Sequence, residues 1–233
     1  SEYASIFRGL GVKVDLVNMR DRLLSFLDTE ISDALSYHLW NNGVLIRHNE
    51  TYASVETTDD SVNLNLESGK RMRADCLLFA NGRTGNTDTL KLENIGLKAD
   101  SRGQLKVNEN YQTDVDNVYA VGDVIGAPWL AHVSAAEGLY AVEHLVGLNP
   151  KEIDYNSVPA CTYSKPEVAS IGSTEQQLLD DGIDFKVAKS FFISNGKAVA
   201  VGATDGFIKM LVGKEGNILG AHIVGSNATE MIS

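Results

Sequence analysis

The chain has 233 residues, 43% of them hydrophobic and 22% charged, a balance typical of a folded globular protein. Its formal net charge of −11 argues against a partner built on nucleic-acid phosphates or anionic lipids, so we expect neither nucleic acid nor a membrane as partner. No apolar run approaches the roughly 20 residues that span a bilayer. Cys and His residues lack the spacing of metal ligands, so we expect no metal site.

The first elements in chain order form a strand–helix–strand unit. A helix is predicted from Glu2 to Phe7, and the alternation in VKVDLV predicts a strand at 12–17. Asp28 is expected to cap an amphipathic helix, and VLIRH predicts the next strand at 44–48. This order is the unit of a parallel sheet.

Three further strands without intervening helices are predicted at 51–57, 61–68 and 70–80, which indicates an antiparallel meander. Cys76 falls in the last of these runs and Cys161 in a later strand-like run, so we expect both to be buried packing residues rather than a redox couple. Two cysteines without close spacing favour a reducing compartment, and we expect a cytoplasmic protein.

The stretch VYAVGDVIGAPWLAH predicts a strand at 118–122, a turn, and a helix from about 133 to 146. Ligands of open α/β sheets bind at the carboxyl ends of parallel strands, and the start of the following helix offers free N–H groups. Asp123 therefore has two interpretations. It accepts hydrogen bonds from the hydroxyls of a sugar or polyol, or it caps a turn, and the pattern alone favours neither.

The last third of the chain predicts mixed helices and strands. A helix is expected from Ser173 to Leu179, with Ser173 and Gln176 at capping-box spacing. The run GFIKMLVGKEGNILGAHIVG predicts a hairpin that turns at GKEGN. Asn227 and Glu230 repeat the capping-box spacing at the end. Because a helix is predicted at each end of the chain, we expect a fragment of a longer protein.

Residues 113–123, T-x-x-x-x-V-Y-A-V-G-D, resemble the second flavin-binding signature of the pyridine nucleotide-disulfide oxidoreductases. The resemblance runs over essentially the whole chain. It implies an α/β fold with Rossmann-like FAD- and NAD(P)-binding domains, built from a parallel sheet plus an antiparallel meander, followed by part of an α+β dimerisation domain. The implied boundaries are 1–80 for the NAD(P)-binding domain without its glycine-rich start, 81–150 for the C-terminal part of the FAD-binding domain, and 151–233 for a truncated dimerisation domain.

The resemblance also implies which residues meet flavin. Asp123 would hold the FAD ribitol beside Gly122, and Ala131 and His132 would lie along the flavin ring at the start of the next helix. No catalytic residue is expected in this chain, because any catalytic disulfide of the family would precede it and the family's His-Glu pair would follow it.

The implied NAD(P) contacts are Glu2 near the nicotinamide and Gly82 in a loop that approaches the nucleotide. Asn18 closes the first strand, where dinucleotide folds place the residue that meets the ribose 2′-OH. An uncharged residue there tolerates a 2′-phosphate, and we interpret Arg20 as a phosphate contact. The alternative is that Arg20 and the nearby Arg22 are solvated surface residues.

Two branches of the family match different parts of the chain. The front half, with SEYASIFRGL and FANGRTGNTDTL, resembles members that move a hydride from NADPH to NAD+ through FAD. The rear half, with PWLAHVSAAEG and CTYSKPEVASIG, resembles members that oxidise dihydrolipoamide with NAD+ through a disulfide and FAD. We expect the first activity, because its match is longer and more specific, with the second as an alternative. A non-catalytic nucleotide-binding or interaction module is the alternative of another class.

The resemblance implies FAD as the cofactor and NAD and NADP as the substrates. The full-length protein is expected to be a homodimer.

Overall fold

The computed structural model describes residues 1–232, and these divide into two units. Residues 1–77 and those from 156 onward make up the first unit, and residues 78–155 make up the second. The division into domains at 1–80, 81–150 and 151–233 stays a prediction.

The structure is mixed α/β, as the sequence predicts, and combines a strand–helix–strand unit with runs of consecutive strands. The helices are α1 (Glu2–Gly9), α2 (Thr29–Asn41), α3 (Ala131–Leu145), α4 (Glu175–Asp180), α5 (Gly196–Val201) and α6 (Ala228–Met231). The strands are β1 (Val14–Val17), β2 (Val44–Arg47), β3 (Tyr52–Thr57), β4 (Val62–Leu66), β5 (Arg71–Ala74), β6 (Ala160–Thr162), β7 (Glu167–Gly172), β8 (Phe185–Phe191), β9 (Gly206–Gly213) and β10 (Ile218–Gly225). Short 3₁₀ turns lie at Leu92–Ile95, Gly122–Ile125, Tyr155–Ser157 and Phe192–Ser194.

The strand–helix–strand unit at the front of the chain is confirmed. β1 and β2 pair in parallel, with Val14 opposite Val44. Asp28 caps α2 by accepting a hydrogen bond from the backbone N–H of Glu30 at 3.1 Å. This bond satisfies one of the free N–H groups at the helix start, so the helix begins where the sequence pattern places it.

The buried stripe of α2 forms the main core of the first unit. Ile31, Leu35 and Leu39 are buried, and they belong to one apolar cluster that also contains Val168 and Val224. A fully buried aliphatic side chain of this size contributes about 1.5–3 kcal/mol. Helix α2 therefore holds together residues from the front and the rear of the chain.

The antiparallel meander is confirmed, in the order β3-β4-β5. Its third strand is shorter than predicted, because pairing with β4 ends at Ala74 opposite Val62. Cys76 lies beyond that last pair and is exposed, so the prediction that it is a buried packing residue was wrong. Cys161 is half-buried in β6, and its thiol contacts the carbonyl oxygen of Thr229 at 3.9 Å.

The rear of the first unit is a five-stranded antiparallel sheet in the order β6-β7-β10-β9-β8. The predicted hairpin is β9–β10, which turns between Gly213 and Ile218. The capping box of α4 lies one residue later than predicted and uses Thr174 and Gln177. The reason is that the N–H of Ser173 still donates to the carbonyl of Leu219 in β10, so Ser173 continues the sheet.

The predicted capping box at Asn227 and Glu230 was also wrong. Asn227 has left-handed backbone angles (φ 60°, ψ 23°), and its side chain caps no N–H of α6. The carboxylate of Glu167 instead accepts from the N–H of Thr229 at 3.1 Å and from its hydroxyl at 2.6 Å. A side chain from β7 thus satisfies the helix start in place of the local residue.

Residues 78–155 contain helix α3 as predicted but no strand at 118–122, so that prediction was wrong. An isolated antiparallel bridge joins Gln112 to Tyr119, and the chain then enters the 3₁₀ turn at Gly122–Ile125. The physical reason is that a strand needs neighbours to accept its hydrogen bonds, and residues 78–155 supply no paired strand. Tyr111 and Tyr140 pack edge to face in the core of this unit.

Candidate functional site

Gly122 fixes the turn that carries the candidate flavin-binding aspartate. It is buried with a φ of +75°, in the left-handed region that favours glycine. A Cβ at this position would lie 2.8 Å from the hydroxyl oxygen of Ser134. The residue type therefore lets the turn pack directly against α3, which carries Ser134.

Asp123 follows on the same turn, with its side chain 52% exposed. One carboxylate oxygen lies 2.9 Å from the guanidinium Nη1 of Arg83, which is 68% exposed. An exposed pair of this kind contributes about 0–1 kcal/mol. The hydroxyl groups of a ligand can therefore replace Arg83 at low cost, so the pair is compatible with a polyol-binding role. Sequence reasoning did not identify Arg83, although it directly follows Gly82.

The start of α3 offers a second binding element in this unit. Leu130, at the N-cap position, provides no side-chain acceptor for the helix N–H groups. Ala131 and His132 are both exposed. An uncapped helix start presents N–H donors and a partial positive charge, which suit an electron-rich group. The exposed acceptor at Asp123 and the donors at Ala131 and His132 fit the polyol chain and the electron-rich ring edge of a flavin.

Glu137 is a buried residue of α3 whose carboxylate is bonded to the turn at Gly122. One of its oxygens accepts a hydrogen bond from the backbone N–H of Gly122 at 2.6 Å, and the other accepts from the hydroxyl of Tyr155 at 2.7 Å. Burial raises the pKa of Tyr155, and its hydrogen bonds with Tyr111 and Glu137 raise it further, so the phenol stays a neutral donor. Sequence reasoning missed Glu137. Its signal is an acidic residue spaced with the apolar stripe of Val133 and Ala141 on α3.

Asn18 organises the loop after β1, where the 2′-position of a dinucleotide is expected. Its side-chain amide donates to the carbonyl oxygens of Arg20 at 2.8 Å and Arg22 at 3.0 Å. The same nitrogen lies 3.1 Å from Nδ1 of His48, a neighbour that the sequence did not reveal. The structure thus brings Asn18 and Arg20 together and places no carboxylate at position 18.

The arginines of this loop point to different partners. Arg20 is exposed, and its guanidinium donates to the hydroxyl of Ser25. Arg22 forms an exposed ion pair with Asp33 at 3.4 Å. Neither partner is buried together with its arginine, so an anionic ligand can compete for Arg20.

The two remaining predicted nucleotide contacts lie in different units. Glu2 is exposed on the first turn of α1, where one carboxylate oxygen accepts from the backbone N–H of Tyr163 at 2.7 Å. Gly82 is exposed with a φ of +86°, and a Cβ there would meet nothing within 4 Å. Its positive φ, rather than lack of space, favours glycine at this position.

Lys209 forms a buried ion cluster that the sequence analysis also missed. Its ammonium lies 2.8 and 3.0 Å from the two carboxylate oxygens of Asp28, and it also pairs with Glu30 and Glu175. Burial alone would lower the pKa of Lys209, but the hydrogen bonds that its ammonium donates to Asp28 and Glu175 outweigh burial and raise that pKa. Burial opposes ionisation of Asp28, yet the bond from Lys209 keeps its pKa below the usual range. The signal is a lysine two positions from Leu211, on the same face of β9.

Within residues 1–232, no group of three His, Cys, Asp or Glu side chains is arranged to hold a metal ion. No helix in that range is both long enough and apolar enough to cross a bilayer.

Comparison with known proteins covers the whole chain. Residues 1–138 match the family described as pyridine nucleotide-disulphide oxidoreductase, and residues 158–233 match the dimerisation domain of that family. Proteins named soluble pyridine nucleotide transhydrogenase are 54% identical in Photobacterium profundum and 54% identical in Colwellia psychrerythraea. Each alignment spans all of this chain and 50% of the relative, so the chain spans about half the length of the curated relatives that it matches.

Solved structures are similar over the same range. The structure of LpdA from Mycobacterium tuberculosis is 26% identical with a TM-score of 0.91, and the alignment covers 99% of this chain and 50% of that one. The HOCl-induced flavoprotein disulfide reductase RclA from Escherichia coli is 28% identical with a TM-score of 0.91, over 99% of this chain and 53% of that one. These matches, together with the family match over more than half of the chain, establish that this chain belongs to the pyridine nucleotide-disulphide oxidoreductase family.

Proposed function

We propose that the protein containing this chain is an FAD-dependent transhydrogenase that moves hydride between NADPH and NAD+. The observation that carries the proposal is the 52–54% identity, over 99–100% of the chain, to relatives named soluble pyridine nucleotide transhydrogenase. The exposed carboxylate of Asp123 and the uncapped start of α3 support it. The carboxylate is an acceptor for the polyol chain of a flavin, and the helix start offers N–H donors for the electron-rich edge of its ring.

In this proposal the second unit holds the flavin. Asp123 accepts hydrogen bonds from the ribitol hydroxyls, and Gly122 keeps the backbone close to α3. The N–H groups at Ala131 and His132 face the electron-rich edge of the ring and stabilise negative charge there. FAD, when bound, supplies the acceptor and donor of hydride that links the two nucleotides.

The first unit contributes to nucleotide binding. Asn18 places no negative charge near the 2′-position, so a 2′-phosphate meets no repulsion from that residue. Arg20 exchanges its bond to Ser25 for the phosphate, and Glu2 lies near the nicotinamide. Gly82 belongs to the second unit, and its contact with the nucleotide stays a prediction. Tolerance of both NAD and NADP is what a transhydrogenase requires.

The experiment is a transhydrogenation assay on the full-length protein with NADPH as donor and thio-NAD+ as acceptor. We expect turnover by a protein that is purified with FAD. Asp123→Ala is expected to lower the FAD content and affinity at least tenfold, because the ribitol loses its charged acceptor. Asp116→Ala, at another exposed aspartate of the same unit, is the matched control and is expected to bind FAD normally. Normal FAD binding by Asp123→Ala would show that this residue assignment is wrong.

Dihydrolipoyl dehydrogenase activity is the second candidate, supported by the likeness to a flavoprotein disulfide reductase. Turnover of dihydrolipoamide with NAD+, together with a C-x-x-x-x-C pair in the full-length sequence, would favour this activity over transhydrogenation. A protein that binds nucleotide but turns over neither substrate pair would favour the non-catalytic module.

Assembly and location belong to the same proposal. The match of residues 158–233 to a dimerisation domain supports a homodimer of the full-length protein, and sedimentation as a monomer would contradict it. Cys76 and Cys161 are both unpaired, which supports the proposed cytoplasmic location.

A further inference from the structure

The environment of Glu137 is unusual for a buried acid. Glu137 lies in the middle of α3 and is only 2% exposed, and it forms no ion pair among the described residues. Its partners are uncharged, namely the N–H of Gly122 and the hydroxyl of Tyr155. A buried charge is costly unless its oxygens are hydrogen-bonded, and here each carboxylate oxygen has one donor at 2.6–2.7 Å.

The bond to Gly122 controls the backbone at the flavin turn. It fixes the N–H of the residue that directly precedes Asp123. A Cβ on Gly122 would come within 2.8 Å of Ser134, so the turn already lies tightly against α3. Since both contacts come from α3, the same helix sets the position of the turn and provides the uncapped start at Ala131.

The bond from Tyr155 controls the carboxylate in turn. Tyr155 donates to Glu137, and the hydroxyl of Tyr111 lies 2.8 Å from that of Tyr155. With both oxygens engaged by different donors, the carboxylate has one favoured orientation. A glutamine could satisfy only one of these donors with its single oxygen, because its other terminal atom is an NH₂ donor.

We propose that Glu137 is a positioning residue for flavin. Its carboxylate orients Asp123 and the start of α3 by accepting a hydrogen bond from the N–H of Gly122, while the hydroxyl of Tyr155 fixes that carboxylate. This inference rests on the proposed flavin site. Glu137 reaches the cofactor through Gly122 and is not itself a catalytic residue.

The test is reconstitution of the full-length apoprotein with FAD, followed by flavin fluorescence and the visible circular dichroism of the bound flavin. Glu137→Gln is expected to raise the FAD dissociation constant about tenfold and to change the circular dichroism, because one of the two donors then faces an NH₂ group. Glu143→Gln is the matched control, since it removes a half-buried carboxylate from the same helix. It is expected to change neither quantity.

A second pair of variants keeps the test decisive if Glu137→Gln does not fold. Tyr155→Phe removes the hydroxyl that donates to Glu137 and contacts the hydroxyl of Tyr111, and about a threefold rise in the dissociation constant is expected. Tyr140→Phe removes the hydroxyl that donates to the side-chain carbonyl of Asn110 at 3.0 Å, in the same core but away from Glu137. It should leave FAD affinity unchanged, which separates positioning from a general loss of core hydrogen bonding.

Wild-type affinity and an unchanged flavin spectrum in Tyr155→Phe, and in a folded Glu137→Gln, would overturn the positioning role while leaving the proposed function in place. An equal loss of affinity in Tyr140→Phe and Tyr155→Phe would also overturn it. A wild-type full-length protein that binds no FAD would instead overturn the proposed function, and the positioning role with it.

Discussion

Two buried polar clusters stabilise the two units in different ways. In the first unit the Lys209 ammonium faces the carboxylates of Asp28, Glu30 and Glu175, so the cluster is held by opposite charges. In the second unit Glu137 faces only the neutral donors of Gly122 and Tyr155. Both clusters are built around a fully or almost fully buried ionisable side chain.

The two clusters also connect different stretches of chain. Lys209 and Asp28 lie 181 residues apart, so the ion cluster joins the front of the chain to the rear sheet. Glu137 lies 15 residues from Gly122 and 18 from Tyr155. Removing one member of a buried ion cluster leaves an unpaired charge, whereas removing Tyr155 leaves a carboxylate that keeps one donor. The long-range cluster is therefore the more sensitive of the two to a single substitution.

The largest expected effect comes from breaking the ion cluster. Lys209→Met is expected to lower the free energy of unfolding by about 3–5 kcal/mol, because Asp28 stays fully buried without its cation. Urea denaturation of the full-length protein, followed by circular dichroism, measures the change.

Lys189→Met is the matched control for that substitution. Lys189 pairs with Glu30 in the same cluster, but its side chain is 32% exposed, so water replaces the lost partner. We expect a change of about 1 kcal/mol or less. If the two lysine variants were equally stable, the ion cluster would not be the sensitive one.

The next largest effect tests the backbone of the second cluster. Gly122→Ala is expected to cost about 1–3 kcal/mol, because the residue has positive φ and the new Cβ would meet Ser134. Gly138→Ala in α3 is the control, since its Cβ would meet only Val121 at an ordinary 3.9 Å. Helix propensity predicts that this variant gains about 0.5–1 kcal/mol. Thermal unfolding of the apoprotein compares the two, and equal stability would show that the turn can relax away from α3.

Local patterns were sufficient to predict most helices and strands. The recurrence of Ile31, Leu35 and Leu39 at every fourth residue predicted α2, and Asp28 predicted its start. The failures occurred where a distant residue replaced a local one. Ser173 remained bonded to Leu219 and so could not cap α4, a choice that the capping-box spacing does not reveal.

In the candidate site too, residues in a continuous motif were predicted and residues that depend on distant partners were missed. Gly122, Asp123 and the helix start at Ala131 were identified because the motif is continuous in sequence. Glu137, Arg83 and Lys209 were missed, although each is the partner of a residue that the sequence analysis had named. Glu137 and Lys209 form hydrogen bonds with residues 15 and 181 positions away, and the sequence shows only an ionisable residue on an apolar face. Arg83 is exposed and lies 40 positions from Asp123, so no sequence pattern connects the two.

The smallest expected effect concerns a neutral residue beside the ion cluster. His222 is buried opposite Lys209 in the sheet, and its Nε2 lies 3.0 Å from the carbonyl oxygen of Ser173. Burial lowers its pKa, and the nearby Lys209 lowers it as well, against the opposite influences of Ser173 and Asp28. Because the folded pKa lies below the unfolded value of about 6.5, the unfolded state takes up a proton first as the pH falls. The contribution of this residue to stability is therefore fully present above that value and is lost as the pH falls from it towards the folded pKa.

His222→Gln, which keeps a donor for Ser173 without a titrating ring, should lose less stability than the wild type as the pH falls from about 6.5 to about 5.5. Parallel slopes of the two proteins in a denaturation series would show that the ion cluster tolerates a second positive charge.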